Sequence, residues 1–269
     1  MIEVVDRVPT YPNRIKITHA NGTSEYVTWE RADAPTVEGT PINKALFDSI
    51  AADIGLRDNL SLYVSNAGSD ALGDGTEANP FASVSKALSV IPKNLNGYVA
   101  YVNIGAGVYN ETVMVDSFCG GKIVFTGAIN ETVAFTNLYV RNKSVVEVRN
   151  IQVDVSSGYI SIINDGFLGV HTSMSVNGSA NGVQVVDRGQ AVFYNNLLIY
   201  NTTNDAVSAD SGGFVYVNNL GGNGNRLGIA ASGGATVAFN TNTIGAAIGY
   251  YSASGGRILS GSQTSIPDY

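Results

Sequence analysis

The sequence predicts an all-β protein built as a right-handed parallel β-helix of about eight coils, preceded by an N-terminal capping helix and a small N-terminal α+β module. Three observations carry this prediction. Only 14% of the 269 residues are charged, while there are 31 glycines and 27 asparagines, against about a quarter charged in an average domain. Long exposed helices need Glu, Lys, Arg and Ala on the wet face, whereas Gly, Asn, Ser, Thr, Val and Tyr suit turns and pleated strands. Second, Gly97, Gly121, Ser144, Gly166, Gly189, Gly213, Gly234 and Gly256 recur at intervals of 21 to 24 residues. Third, two apolar columns stand at fixed offsets from these positions. Two residues on come Val99, Ile123, Val146, Leu168, Ala191, Val215, Thr236 and Ile258; four on come Tyr101, Phe125, Val148, Val170, Phe193, Val217, Ala238 and Ser260.

Such a period, with strand alternation and no helix inside the repeat, fits one coil of a parallel β-helix per repeat. The intervening residues, such as Val145, Glu147 and Arg149, belong to the outward face. Asn195, Asn219 and Asn240 fall in a turn column and are expected to form an amide ladder between coils.

Ahead of the repeat, the chain divides into residues 1–60, a module richer in charge and proline, and residues 61–95, a strand, loop and capping helix; the β-helix occupies 96–269. In the module, Arg14 to Thr18 and Glu25 to Trp29 alternate around Asn21-Gly22, a hairpin signal. Thr40-Pro41 opens a helix with an apolar stripe through Ile42, Ala45, Leu46, Ile50 and Ile54. Leu62 to Ser65 reads as a strand. After a Gly- and Asp-rich loop, Asn79-Pro80 opens a second helix with Phe81, Val84, Leu88 and Ile91 on one stripe, expected to cover the first coil.

Charge and cysteine content narrow the function classes. A net charge of −7 and the lack of any basic stripe argue against nucleic acid and an anionic membrane surface. The N-terminus shows no secretory signal, and no run is long and apolar enough to span a bilayer. The single cysteine, Cys119, is expected as a buried free thiol. Asp70, Asp74, Gly75 and Glu77 approximate a calcium loop, but Leu72 and Phe81 stand where oxygen ligands belong, so no metal or cofactor is expected.

The run Tyr63-Val64-Ser65, Gly68-Ser69-Asp70, Gly73-Asp74-Gly75-Thr76 and Asn79-Pro80-Phe81, just upstream of the repeat, resembles the opening of pectate-lyase-like β-helix proteins, including many phage tail spikes. Pro9 to Arg14, Glu30 to Asp33 and Glu38 to Lys44 are similar to the N-terminal module of structural proteins in phages and prophages of Gram-positive hosts. These resemblances imply a homotrimeric virion spike or fibre, assembled in the bacterial host cytoplasm. It would bind other tail, baseplate or capsid proteins through residues 1–60 and adhere to host-surface glycan through the β-helix. The alternatives are a polysaccharide-degrading hydrolase or lyase on the same scaffold, and a capsid-attached head fibre.

The enzyme alternative needs two carboxylates facing one cleft. Asp165, Asp187 and Asp210 fall inside turns, where Asp caps backbone groups. Glu147 and Asp154 lie one strand apart, with Arg149 beside Glu147 as an ion pair. No catalytic residue is therefore assigned. Arg149, His171 and Tyr194 come from neighbouring coils of one outward sheet, with Phe167 and Tyr216 on the same face. That strip suits either glycan recognition or a subunit interface, the interface being the favoured reading for a trimer.

Overall fold

The computed structural model describes residues 14–18, 24–28, 55–129, 131–156, 158–178 and 180–260. The chain divides into two units, Met1–Ile54 and Gly55–Tyr269. In the first, β1 (Arg14–Thr18) and β2 (Ser24–Thr28) pair antiparallel from Arg14↔Thr28 to Thr18↔Ser24. The helix expected after Thr40 lies outside the described residues.

The second unit is a parallel β-solenoid of about seven turns, an all-β structure with almost no helix. It opens with β3 (Leu60–Val64), the short helix α1 (Val84–Val90) and β4 (Val99–Ile104). There follow β5 (Gly107–Asp116), β6 (Lys122–Thr126), β7 (Thr132–Arg141), β8 (Val145–Val148), β9 (Gln152–Ser156), β10 (Ile160–Ile163) and β11 (Phe167–Val170). The chain continues through β12 (Met174–Asn177), β13 (Val183–Val185), β14 (Gln190–Tyr200), β15 (Asp205–Ala209), β16 (Phe214–Ala231), β17 (Thr236–Ser252) and β18 (Arg257–Ser260).

Each turn has three faces. The first stacks β3, β4, β6, β8, β11, the starts of β14, β16 and β17, and β18, all parallel. β9 and β12 belong to the second face; β10, β13 and β15 belong to the third. Longer strands such as β14 and β16 bend around corners, where their pairing slips by an irregular residue. Seven turns are complete, and β18 begins the first face of another; residues 261–269 lie outside the described residues.

α1 starts at Ser83, whose side chain accepts from Lys86 N, and buries Val84, Ala87 and Leu88 against β3, β4 and β5. It is shorter than the sequence predicts because Asn79-Pro80 belongs to the preceding loop. Asp70 accepts from Ala82 N at 2.8 Å and Ser83 N at 3.0 Å, and Glu111 on β5 accepts from Val84 N at 2.8 Å and Ser85 N at 2.9 Å. Asp70 and Asp74 of the calcium-like loop thus serve as acceptors for turn and helix-end N–H groups, Asp74 taking Thr76 N.

The inward columns are continuous. On the first face Ala100, Ile123, Val146, Leu168, Ala191, Val215 and Val237 are fully buried and stack in register, beside Val102, Phe125, Val148, Val170, Phe193, Val217 and Phe239. This corrects the sequence columns in two turns: Ala100 and Val102 replace Val99 and Tyr101, and Val237 and Phe239 replace Thr236 and Ala238. The reason lies in the corner before the first face. In every turn the residue before the register position has positive φ: Gly97, Gly120, Lys143, Asp165, Arg188, Gly212, Gly234 and Gly255. In five turns the next residue is also glycine, at a crowded site: a Cβ on Gly213 would stand 2.5 Å from the Val185 carbonyl oxygen. Gly97 and Gly234 occupy the left-handed site, not the crowded one, so counting from them displaces the strand by one residue and swaps its faces.

Two other expectations are corrected. Cys119 is exposed and free, because Phe118 takes the inward place beside it. The asparagine ladder is not one column through Asn195, Asn219 and Asn240. The bulge between Phe193 and Asn196 puts Asn196 opposite Asn219, so Asn219 donates to Asn196 Oδ1 at 3.1 Å while Asn240 donates to Asn218 Oδ1 at 2.9 Å. A further ladder joins Asp116, Asn142 and Asn164.

The corrected register predicts that Val102→Asp, which buries an unpaired charge, costs several kcal/mol, about 3 or more. Tyr101→Asp on the outward side should cost about 1 kcal/mol or less, and denaturant unfolding of the two variants distinguishes them. Lys143 holds φ at +64° without a glycine's freedom, so Lys143→Gly is expected to raise stability by up to about 1 kcal/mol in the same measurement, the relief of left-handed strain exceeding the entropy cost of glycine.

Candidate functional site

The outward side of the first face carries the candidate site. Its strands run parallel and in register, so residues at equivalent positions of successive turns become lateral neighbours. His171 N donates to Val148 O and Arg149 N to Phe125 O, which aligns Arg149 and His171 along one outward row, with Tyr194 next in it. The imidazole of His171 stacks on the Tyr194 ring at 4.6 Å between centroids and 14° between planes.

Glu147, two residues before Arg149 on β8, anchors the charged half. Its Oε1 lies 2.8 Å from Lys122 Nζ on the preceding turn. Its Oε2 lies 2.5 Å from Arg149 Nη2, a charge contact with poor hydrogen-bond alignment. His171 Nε2 stands 4.0 Å from the same oxygen, beyond hydrogen-bond reach. Burial pushes the Glu147 carboxyl up, but the hydrogen bond and charge of Lys122 and the charge of Arg149 outweigh it and hold the group below its ordinary value. Burial lowers His171, and its neighbours divide: Glu147 raises it while Arg149 and Lys122 lower it further, so the imidazole is neutral at pH 7.

These groups line a groove of about 510 Å3, with Tyr98, Lys122, Glu147, Arg149, His171 and Tyr194 along it. Of the five residues singled out from sequence, Arg149, Phe167, His171 and Tyr194 line the groove, and Tyr216, one turn beyond Tyr194, is outside its lining. Phe167 and Tyr216 point outward yet are only 8% and 5% exposed. They belong to a second apolar cluster, with Val192 and Ala238 at its centre and Val145, Phe214 and Leu259 against it. Gly169 makes room for the Phe167 ring, because a Cβ there would approach its Cε1 to 3.1 Å. Sequence reasoning did not assign Lys122 to the site: it lies one turn away, and only the diagonal between positions of adjacent strands brings it to Glu147.

The carboxylate pair weighed for hydrolysis is not assembled. Asp154 sits on the second face in a row with Ala134 and Ser175, where it accepts from the Ser175 hydroxyl, whereas Glu147 is on the first face. Asp165 and Asp187 occupy left-handed turn positions. Asp165 is bound by Arg188 at 2.8 Å, whose hydrogen bond and charge hold its carboxyl below the usual value. Asp210 accepts from Ser211 N at 2.7 Å and Ser232 Oγ at 3.0 Å.

The chain matches no family model, and no curated protein or solved structure is significantly similar to it. The parallel β-solenoid and the groove therefore carry the functional argument themselves.

The site predicts a pH dependence. Folded His171 resists the proton that the unfolded chain binds below the ordinary histidine value of 6.5. Its contribution to stability is thus complete above that pH and is lost as pH falls from 6.5 through the lowered folded value. His171→Phe, which keeps a ring against Tyr194, is expected to flatten the melting-temperature profile between pH 7 and 5.5 compared with the parent chain.

Proposed function

We propose that this protein is a phage virion structural protein, a homotrimeric tail spike or fibre that displays its β-solenoid for adhesion to host-surface glycan. The observation that carries this reading is the groove on the outward first face, with an aromatic end, a cationic end and a rigid floor of in-register strands. Sugars are recognised by aromatic faces that take their C–H surfaces and by polar groups that fix their hydroxyls, held on a scaffold that pays little to order itself. Among the described residues lining the groove Glu147 is the one acid, and it is committed to two cations. That favours binding over the hydrolase or lyase alternative, which needs a carboxyl kept protonated as an acid or left unpaired as a base.

The same geometry redistributes the two roles weighed for the strip. Phe167 and Tyr216 are covered within their own chain, so they offer little area to a neighbouring subunit. Arg149, His171 and Tyr194 remain accessible in a concave setting, which suits a ligand better than a flat subunit contact. A trimer contact would then draw on other exposed apolar residues of the solenoid, such as Val108, Met114 and Ile129 near its start. Attachment to other virion proteins is assigned to residues 1–60 on the strength of the sequence resemblance.

Light scattering after size exclusion tests the assembly. A spike or fibre predicts a particle of three times the 28.1 kDa chain mass that persists on dilution. A monomer would overturn the trimer and with it the virion-appendage reading.

A further inference from the structure

We infer that the groove selects sugars that carry an anionic group, a carboxylate or a phosphate, and that Lys122 and Arg149 bind that group while the His171–Tyr194 stack carries the sugar ring. This deepens the adhesion reading of the same site and rests on it. The argument begins from local charge. Lys122 and Arg149 bring two positive charges to the groove and Glu147 one negative charge, leaving a net cation in a chain whose overall charge is −7. His171 adds no charge at pH 7, since burial keeps its imidazole neutral.

The two cations are not exhausted by Glu147. An ammonium has three N–H donors and a guanidinium five. The Lys122 and Arg149 side chains are 34% and 47% exposed, whereas that of Glu147 is 12% exposed. The carboxylate therefore lies beneath the cations and fixes them from below, and their remaining donors are accessible from the groove. Such a held pair of cations is pre-organised for a planar or tetrahedral oxyanion, because the side-chain entropy of ordering has been spent in the free protein. Beside it, the Tyr194 ring and the His171 imidazole form one stacked pair. A pyranose ring placed against their aromatic surface would carry an anionic substituent within reach of Arg149, the neighbour of His171 in the same row.

The probes are glucuronate, glucose 6-phosphate and glucose, which share a ring and differ in the group at C6. Saturation transfer from the full chain to the sugar protons, titrated at low salt, gives apparent affinities. Both anionic sugars, or one of them, should bind at least fivefold more tightly than glucose, and whichever binds better identifies the carboxylate or the phosphate as the source. Arg149→Met and Lys122→Met should each weaken the anionic sugar at least fivefold more than they weaken glucose. Glu147→Gln removes the charge that holds both cations in place, so it should weaken anion binding at least fivefold although the net positive charge of the groove rises. Equal binding of glucose and the anionic sugars would overturn the charge selection and leave adhesion through the groove standing. Anion binding that strengthens in Glu147→Gln, with the melting temperature retained, would overturn the pre-organised pair, because the cations would then bind better without the acid that holds them. Absence of transfer to all three sugars would remove the groove as a glycan site, while the solution mass would still decide the trimer separately.

Discussion

Parallel, in-register stacking at one strand spacing, about 4.8 Å, governs the rest of this structure. Each side chain has its equivalent in the turns above and below, so a residue type that suits one turn must suit its neighbours. Inside, this makes continuous columns such as Ile123, Val146, Leu168, Ala191 and Val215, where each apolar side chain loses water on both sides. At the corners it makes ladders: Asn142 donates to Asp116 and Asn164 donates to Asn142, so one amide satisfies the next. Where stacking bends around a corner, a polar side chain is taken inside, as with Asn225, which donates to the carbonyl of Ile199 at 3.0 Å and accepts from Thr202 N at 3.2 Å. A buried amide is tolerable only because its partners recur at a fixed distance along the chain.

The same rule explains what the sequence reveals of the fold. Columns repeat, so the period and the alternation stand out from composition without any aligned relatives, and the inward and outward faces of most turns can be read directly. What misleads is that glycine has two separate reasons to appear at adjacent corner positions. One needs positive φ, as at Gly97 and Gly234; the next needs a missing Cβ, as at Gly121 and Gly213. A reader who counts glycines treats the two sites as one, and in a strand a one-residue error exchanges core for surface. Bulges hide in the same way. The extra residue after Phe193 shifts the asparagine pairing, and nothing in the local pattern Tyr194-Asn195-Asn196 marks which amide faces the next turn.

The candidate site was legible to the extent that it follows rows. Arg149, His171 and Tyr194 are equivalent residues of successive strands, and their adjacency follows from the period. Lys122 and Phe167 act along diagonals and through side-chain reach. Their positions were readable, but the long Lys122 stem leaning to Glu147 and the Phe167 ring folded over Gly169 depend on rotamers that a repeat pattern does not encode. The exposure of Phe167 and Tyr216 was the least legible property. An outward position does not by itself mean accessibility: the second apolar cluster shows that an outer face can bury its own aromatics when glycine and small residues lie between them.

The electrostatics of the groove explain how Glu147 would serve the proposed binding site and not only a surface network. Lys122 and Arg149 both contact Glu147 and so stand close enough to repel each other; without an acid they would splay into solvent and lose any fixed geometry. Placing Glu147 between Lys122 and Arg149 offsets that repulsion and holds both side chains, at the cost of half the site's charge. The residual charge is carried by groups already positioned, and that matters more for recognition than a larger charge on mobile side chains. His171 completes the arrangement by staying neutral: a third cation would add repulsion beside Arg149, whereas a neutral imidazole stacked on Tyr194 supplies a flat surface at no electrostatic cost. The acid, the two cations and the neutral ring pair therefore divide the work of charge and shape within one row and its diagonal, on strands that stacking holds in place.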